Sequence, residues 1–302
     1  MSSYLEIELK EIERKVNLFL EKLKKCDICG WNCNINRYLQ KSHCKSGIEL
    51  KISSYGPHYG EERIISGKRG SGTIFFTNCS MKCLYCQNYD ISQLGNGYNI
   101  SIEELSNIML KLQEFGCHNI NLVTPTHFIP QILKGIYYAI KNGLNIPFVY
   151  NCGGYENVEI IKLLEGIIDI YMPDAKYGDN EIAKKYSGIT DYWDICKKAL
   201  IEMKRQVGDI VLNEEKVAIK GILIRHLILP NNISSSENVL KFIRDELGEN
   251  TWISLLSQYH PEYKAYIYPE INRRITFDEY NKVVEITYKL GLKNVIYQGY
   301  LL

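Results

Sequence analysis

From residue 70 onward, short apolar runs rich in β-branched residues alternate with longer amphipathic stretches, and few folds accommodate that rhythm. A short apolar run bounded by polar residues reads as a strand buried on both faces, and the helical periodicity between runs reads as a helix laid over it. Repeated βα units of this kind build a parallel sheet. The runs fall at residues 73–77, 120–123, 147–151, 168–172, 222–229 and 252–256, with a further one at 294–297. Helical periodicity covers 101–115, 130–142, 157–165, 192–207, 236–247 and 276–290. Six strands fall short of a closed eight-stranded barrel, so the expected fold is α/β, a partial (β/α)6 TIM-like barrel with its site at the C-terminal strand ends. Ahead of it stand a charged amphipathic helix over 4–25 and a stretch over 26–69 that is rich in Cys, Gly, Ser and His and has little periodicity. The chain thus divides into 1–69, a helix with a cysteine-rich module, and 70–302, the barrel.

Charge and hydropathy narrow the function. A formal net charge of +1 leaves no field of unpaired Lys and Arg to coat a nucleic acid, and no dense basic stretch is interleaved with aromatics. No apolar stretch reaches the roughly 18 residues of a spanning helix. The best candidate, 221–230, is interrupted by Arg225 and His226. The first 25 residues are charged throughout and lack the apolar core of a signal peptide. A cytoplasmic chain is expected, with neither a membrane nor a nucleic acid as partner. The 23 tyrosines are explained by a biased base composition and receive no functional weight.

The chemistry concentrates in Cys79-x3-Cys83-x2-Cys86, directly after the run 73–77. Three thiols in a polar loop at a strand end can present soft ligands to one metal face, and thiolates prefer iron–sulfur clusters, zinc or copper(I). Cytosolic chains seldom stabilise loops with disulfides, which favours a metal or redox role over structural thiols. The other strand ends are polar or small: Thr124-Pro125-Thr126-His127, Asn151-Cys152-Gly153-Gly154, Asp174-Ala175-Lys176, Arg225-His226 and Ser257-Gln258-Tyr259 ring one mouth. Asp174 and Lys176, two apart on an extended chain, share a face and suit either a polar ligand or a local ion pair. Gly153-Gly154 admits close approach of a ligand to the backbone or simply makes a turn. His127 and His226 read equally as ligand contacts and as hydrogen-bonded structural residues. Cys117 and Cys196 read as core packing.

A second cysteine group, Cys26-x2-Cys29-x3-Cys33-x10-Cys44, offers four thiols, enough for a tetrahedral zinc site or a second cluster. Unligated thiols are the third reading, and His43 is an alternative ligand. His58, Glu61 and Glu62, ahead of the first barrel strand, either cover the cysteine loop or face solvent.

The stretch Ser71-Gly72-Thr73-Ile74-Phe75-Phe76-Thr77-Asn78-Cys79, continuing to Cys86-Gln87-Asn88-Tyr89-Asp90-Ile91-Ser92, resembles the radical S-adenosylmethionine (radical SAM) superfamily, in its pyruvate formate-lyase activating enzyme-like PflX group. Gly56-Pro57-His58-Tyr59-Gly60-Glu61-Glu62, Val123-Thr124-Pro125-Thr126-His127, Tyr171-Met172-Pro173-Asp174-Ala175-Lys176 and Arg225-His226-Leu227-Ile228-Leu229-Pro230 resemble the same group, so the likeness covers most of the chain. It implies a [4Fe-4S] cluster on Cys79, Cys83 and Cys86, with SAM on the fourth iron and an electron donor such as flavodoxin or ferredoxin. In that family SAM is cleaved to methionine and a 5′-deoxyadenosyl radical, which takes a hydrogen atom from the substrate. The cofactor contacts it implies are Tyr85, Thr124, Thr126, Asn151, Asp174, Lys176 and His226. Cys152, at the mouth, is a candidate catalytic thiol for delivering a hydrogen atom. One departure stands out: Thr124-Pro125-Thr126 replaces the Gly-Gly-Glu element that typically holds the SAM amino group, leaving hydroxyls and backbone carbonyls for that task. Asp174-x-Lys176 matches the Asp-x-Lys element of glycyl-radical activases.

Two enzyme readings follow, one with a small-molecule or peptide substrate and the other an activase acting on a glycyl radical enzyme. A third reading is a metal-stabilised nucleic-acid-binding or scaffold protein built on residues 26–44, against which the balanced charge weighs.

Overall fold

The computed structural model describes residues 2–299. Its strands are β1 (Leu50–His58), β2 (Ser71–Phe76), β3 (Tyr98–Ile100), β4 (Ile120–Val123), β5 (Phe148–Cys152), β6 (Ile170–Pro173), β7 (Val211–Leu212), β8 (Ala218–Leu227), β9 (Trp252–Leu256) and β10 (Val295–Tyr297). Its α-helices are α1 (Leu9–Lys22), α2 (Arg63–Ser66), α3 (Tyr89–Ser92), α4 (Ile102–Glu114), α5 (Ile129–Lys141), α6 (Val158–Leu163), α7 (Asn180–Ser187), α8 (Tyr192–Val207), α9 (Ser236–Phe242) and α10 (Phe277–Lys289). One sheet runs in the order β10-β9-β8-β6-β5-β4-β2-β1-β3, with β7 attached to β8. From β2 to β10 every neighbouring pair is parallel, whereas β1 joins β2 and β3 joins β1 antiparallel. The result is an unclosed, barrel-like α/β fold with an N-terminal helix.

All six expected runs form parallel strands, and the run at 294–297 supplies the seventh. β4 and β9 coincide with the expected runs residue for residue. The helix starts follow local chemistry. Ser101 and Thr276 close capping boxes with Glu104 and Glu279, and such a box satisfies two otherwise orphaned amide donors. The stretch 26–69 differs from the expectation because it contains β1. Gly56 and Pro57 hide that strand in the sequence, and its alternation shows only in buried Leu50 and Ile52. Because β1 pairs with β2, the sheet continues across the boundary at residue 69. Among the described residues, no helix is long and apolar enough to cross a membrane.

Strand alternation separates two layers. Ile74, Phe76, Ile120, Leu122, Phe148, Tyr150, Tyr171, Ile222, Ile224, Ile253 and Leu255 pack outward into the large core beneath the helices. Val149, Ile170, Met172 and Leu223 form a smaller inner cluster with Ile65 of α2, so α2 plugs the lumen from below. Above this plug the lumen is polar. Arg225 of β8 pairs with both Glu61 and Glu62, its Nε donating to Glu62 Oε1 at 3.0 Å. Asn121 of β4 donates to Glu61 at 3.2 Å, and Ser254 of β9 bonds Glu62. Burial alone would raise the Glu62 carboxyl, but the Arg225 guanidinium outweighs it and holds the group below its usual range. Glu61 and Glu62, only 9% and 6% exposed, therefore neither cover the cysteine loop nor face solvent.

Removing one partner of a buried ion network strands the others, at a cost of roughly 3–5 kcal/mol. Arg225→Ala should lose about that much in urea unfolding, and a loss below about 1 kcal/mol would show that the linker is held in the lumen by something else.

Candidate active site

β2 ends at Phe76, and the chain then turns into the cysteine loop through Asn78 and Lys82, both left-handed (φ 66° and 53°). The Asn78 amide is anchored to Ile91 O at 3.0 Å, which folds the loop back on itself. Cys83 is buried, Cys79 and Cys86 are half-buried, and all three are free thiols. Each sulfur has a polar neighbour: the Met81 amide donates to Cys79 at 3.4 Å, the Ser187 hydroxyl donates to Cys83 at 3.2 Å, and the Ser92 hydroxyl lies 3.1 Å from Cys86. Burial, with Cys83 and then Cys86 adding to it, pushes the Cys79 thiol up to about 12, so the three sulfurs lie within one another's electrostatic reach. Among the described residues, no three such side chains converge on a single metal ion. This donor set fits an iron–sulfur cluster, which takes one thiolate per iron and draws on hydrogen bonds to its sulfurs.

Facing the loop, Lys176 Nζ lies 2.5 Å from Asp174 Oδ2. Burial would lower the Lys176 ammonium, but Asp174 first and then the Cys83 and Cys86 sulfurs hold it above its usual value. The segment carrying the pair is clamped from behind. The Tyr192 hydroxyl accepts from the Lys176 amide at 2.9 Å and lies 3.0 Å from the carbonyls of Gly153 and Asp174. His226 Nδ1 donates to Ala175 O at 2.7 Å, which leaves Nε2 to accept from Ser236 Oγ at 2.8 Å. Burial pushes the His226 ring down to about 4, so it is neutral in the fold.

The seven expected cofactor contacts fall into two groups. Thr124, Asn151, Asp174 and Lys176 stand at the mouth, and the side chains of Thr124 and Asn151 have no hydrogen-bond partner among the described residues. Thr124 holds a left-handed conformation (φ 59°), costly for a β-branched residue and most often met at functional sites. The other three are occupied by the protein. Thr126 donates to Glu156 Oε1 at 2.7 Å, both His226 nitrogens are committed, and Tyr85 is buried edge-on between Tyr177 and Tyr259. His127 is committed through Nε2 alone, bonded to Thr77 O at 2.7 Å, and its buried Nδ1 has no partner among the described residues.

Cys152 requires a correction. It lies on the outward face of β5 with Phe148 and Tyr150 and hydrogen-bonds Glu156, because alternation turns Asn151 rather than Cys152 to the mouth. Gly153 packs against Met81 of the cysteine loop, whose sulfur would stand 2.4 Å from an added Cβ, so the close approach there is to protein. The sequence reading missed Glu156. Its carboxyl is 1% exposed, accepts from Thr126, Tyr150 and Cys152, and is pushed up to about 7 by burial. Its signal was an acidic residue just after Gly153-Gly154-Tyr155, in a segment that reads as a turn.

The neutral His226 clamp makes stability pH-dependent. The unfolded ring protonates near 6.5 and the folded ring only near 4, so its contribution is complete above about pH 6.5 and is lost as pH falls toward 4. His226→Asn should remove this part of the pH dependence from urea midpoints measured between pH 4 and 8. An unchanged slope would mean that His226 is not the titrating clamp.

The Radical SAM superfamily pattern matches residues 73–213, which span the cysteine loop and the Asp174–Lys176 segment. An uncharacterized protein of Methanocaldococcus jannaschii is 34% identical over 93% of this chain and 79% of its own length. The pyruvate formate-lyase-activating enzyme of Clostridium pasteurianum is 27% identical over 59% of this chain and 70% of its own length. Among solved structures, HydG, a maturase of the [FeFe]-hydrogenase, has a TM-score of 0.51 at 15% identity, over 99% of this chain and 66% of its own, a likeness of fold. The three thiols at the end of the first parallel strand, the unclosed barrel above them and these matches lead to one conclusion: the chain belongs to the radical SAM superfamily.

Proposed function

We propose that this radical SAM enzyme holds a [4Fe-4S] cluster on Cys79, Cys83 and Cys86, binds SAM across the mouth, and abstracts hydrogen from a small-molecule or peptide substrate. When bound, cluster and SAM supply one-electron bond cleavage and hydrogen-atom abstraction, with the electron coming from a donor of the flavodoxin or ferredoxin kind. One observation carries the reading: the Lys176 ammonium is fixed against Asp174 at 2.5 Å, and its side chain and Met81 of the cysteine loop both pack beside Gly153.

From that position Lys176 can pair with the carboxylate of SAM while Asp174 accepts from ribose hydroxyls. The unpartnered Thr124 hydroxyl and Asn151 amide are the mouth groups left to receive the SAM ammonium, in place of the absent glutamate. Tyr192 and His226 keep Asp174 and Lys176 in register without touching the ligand themselves. Burial of the lumen floor by Ile65, Glu61 and Glu62 leaves the upper mouth as the route in.

The activase reading is the second, favoured by the match to the Clostridium pasteurianum activating enzyme and by Asp174-x-Lys176. A stable complex with a glycyl radical enzyme would select it over a small substrate.

Anaerobically reconstituted, reduced protein should release 5′-deoxyadenosine from SAM, and Cys83→Ala should release none. Lys176→Ala should weaken SAM binding roughly ten- to a hundredfold, as expected for one charge-assisted contact, read as the SAM-induced change in the cluster spectrum. A cluster whose spectrum ignores SAM in the wild type would overturn the proposal.

A further inference from the structure

The function above leaves four thiols unused. Cys26, Cys29 and Cys44 are buried, Cys33 is half-buried, and none forms a disulfide. The backbone gathers them: the Asn34 amide, next to Cys33, donates to Cys26 O at 2.8 Å, and His43, next to Cys44, stacks at 3.8 Å on Trp31, two residues from Cys29. The backbone around them is shaped for sulfur. The Ile28 amide bonds Cys26 and the Trp31 amide bonds Cys29, two residues ahead in each case, and the Ser42 hydroxyl lies 2.8 Å from the Cys44 sulfur. Amides wrapped around a sulfur in this way stabilise a ligating thiolate.

Arg37 points to a ligand independently. It is 2% exposed, and its two terminal nitrogens donate to the carbonyls of His127 and Gly47, both at 2.6 Å. Its Nε has no partner, it pairs with no carboxylate among the described residues, and the guanidinium stands beside the Cys26 sulfur. A buried cation is costly unless a counter-charge accompanies it. Four neutral thiols provide none, whereas four thiolates around a metal centre form a net anion.

The group also rests on the first cysteine loop. Trp31 Nε1 donates to Ser80 O at 2.7 Å, Asn78 Nδ2 donates to Ser46 Oγ at 3.1 Å, and Lys82 lies within electrostatic reach of Cys33, Cys44 and Cys79. His43, the alternative ligand, is stacked on Trp31 at 3.8 Å.

We infer that Cys26, Cys29, Cys33 and Cys44 hold a second iron–sulfur cluster, seated against the loop that carries the first. The spacing Cys26-x2-Cys29-x3-Cys33-x10-Cys44 suits a four-thiolate zinc site as well; the contacts of Trp31 with Ser80 and of Ser46 with Asn78, which join this group to the Cys79–Cys86 loop, favour a centre built from the same iron and sulfide. Four protein thiolates leave no iron open, so this centre carries electrons or holds structure and does not bind substrate.

The test is iron, acid-labile sulfide and zinc content of the full chain after anaerobic reconstitution. The wild type should carry about eight irons, and the Cys79→Ala, Cys83→Ala, Cys86→Ala triple variant about four. The quadruple alanine variant at Cys26, Cys29, Cys33 and Cys44 should keep about four, still responsive to SAM. A triple variant without iron, or with zinc instead, overturns the second cluster while a SAM-responsive quadruple variant leaves the first intact. If the triple variant does not fold, the wild-type count decides, and about four irons would overturn the inference.

Discussion

The charge of Arg225 inside the lumen is the constraint on which the rest of the architecture turns. A guanidinium in the middle of a barrel is tolerated only with full partnership, and here Glu61 and Glu62 provide it. To reach Arg225 they draw the linker between β1 and β2 inward, and α2 follows as the floor. The same carboxylates reach Asn121 on β4 and Ser254 on β9, so one network ties three walls of an unclosed sheet together. Arg225 also bridges Asp174 through the backbone, passing the register of the floor on to the mouth.

The mouth owes its shape to groups that stay behind it. Tyr192 and His226 satisfy the backbone of Asp174-Ala175-Lys176, with Ser236 holding the His226 ring, so the acidic and basic side chains are left to pair with each other. Behind the cysteine loop, tyrosines form a continuous aromatic layer. Tyr155 stacks on Tyr192, Tyr192 meets Tyr177 edge-on, and Tyr177 meets Tyr85, which in turn meets Tyr259. Such a layer is stiff and apolar while its hydroxyls remain available for hydrogen bonds.

Most of the barrel was legible because strands buried on both faces and amphipathic helices leave strong periodic signals, as at β4, β9 and α8. The Asp174–Lys176 pairing was legible because residues two apart on an extended chain share a face, and the cysteine loop stood out by its spacing at a strand end. What escaped depends on the third dimension. β1 has no apolar run of its own and becomes a strand by pairing with β2. The tyrosine layer draws each ring from a different segment of the chain, mostly loops, so composition showed only abundance. Cys152 was placed at the mouth from its position after a strand, and a single step of strand alternation moved it to the other side of the sheet. Glu156 gained meaning only when Thr126, Tyr150 and Cys152 converged on it.

Thr124 has a backbone suited to glycine or asparagine, a shape that costs a threonine about 1–3 kcal/mol. The hydrogen bond that the Thr124 amide donates to Asn151 O, which pins this shape, would survive either substitution, so folding alone gives no reason for a threonine there. The position is therefore one where a more stable chain is easy to write and where the gain would come at the expense of a hydroxyl. Thermostability selection applied to this protein without an activity screen would drift toward glycine or asparagine at Thr124, erasing the hydroxyl proposed above to receive SAM while stability improved.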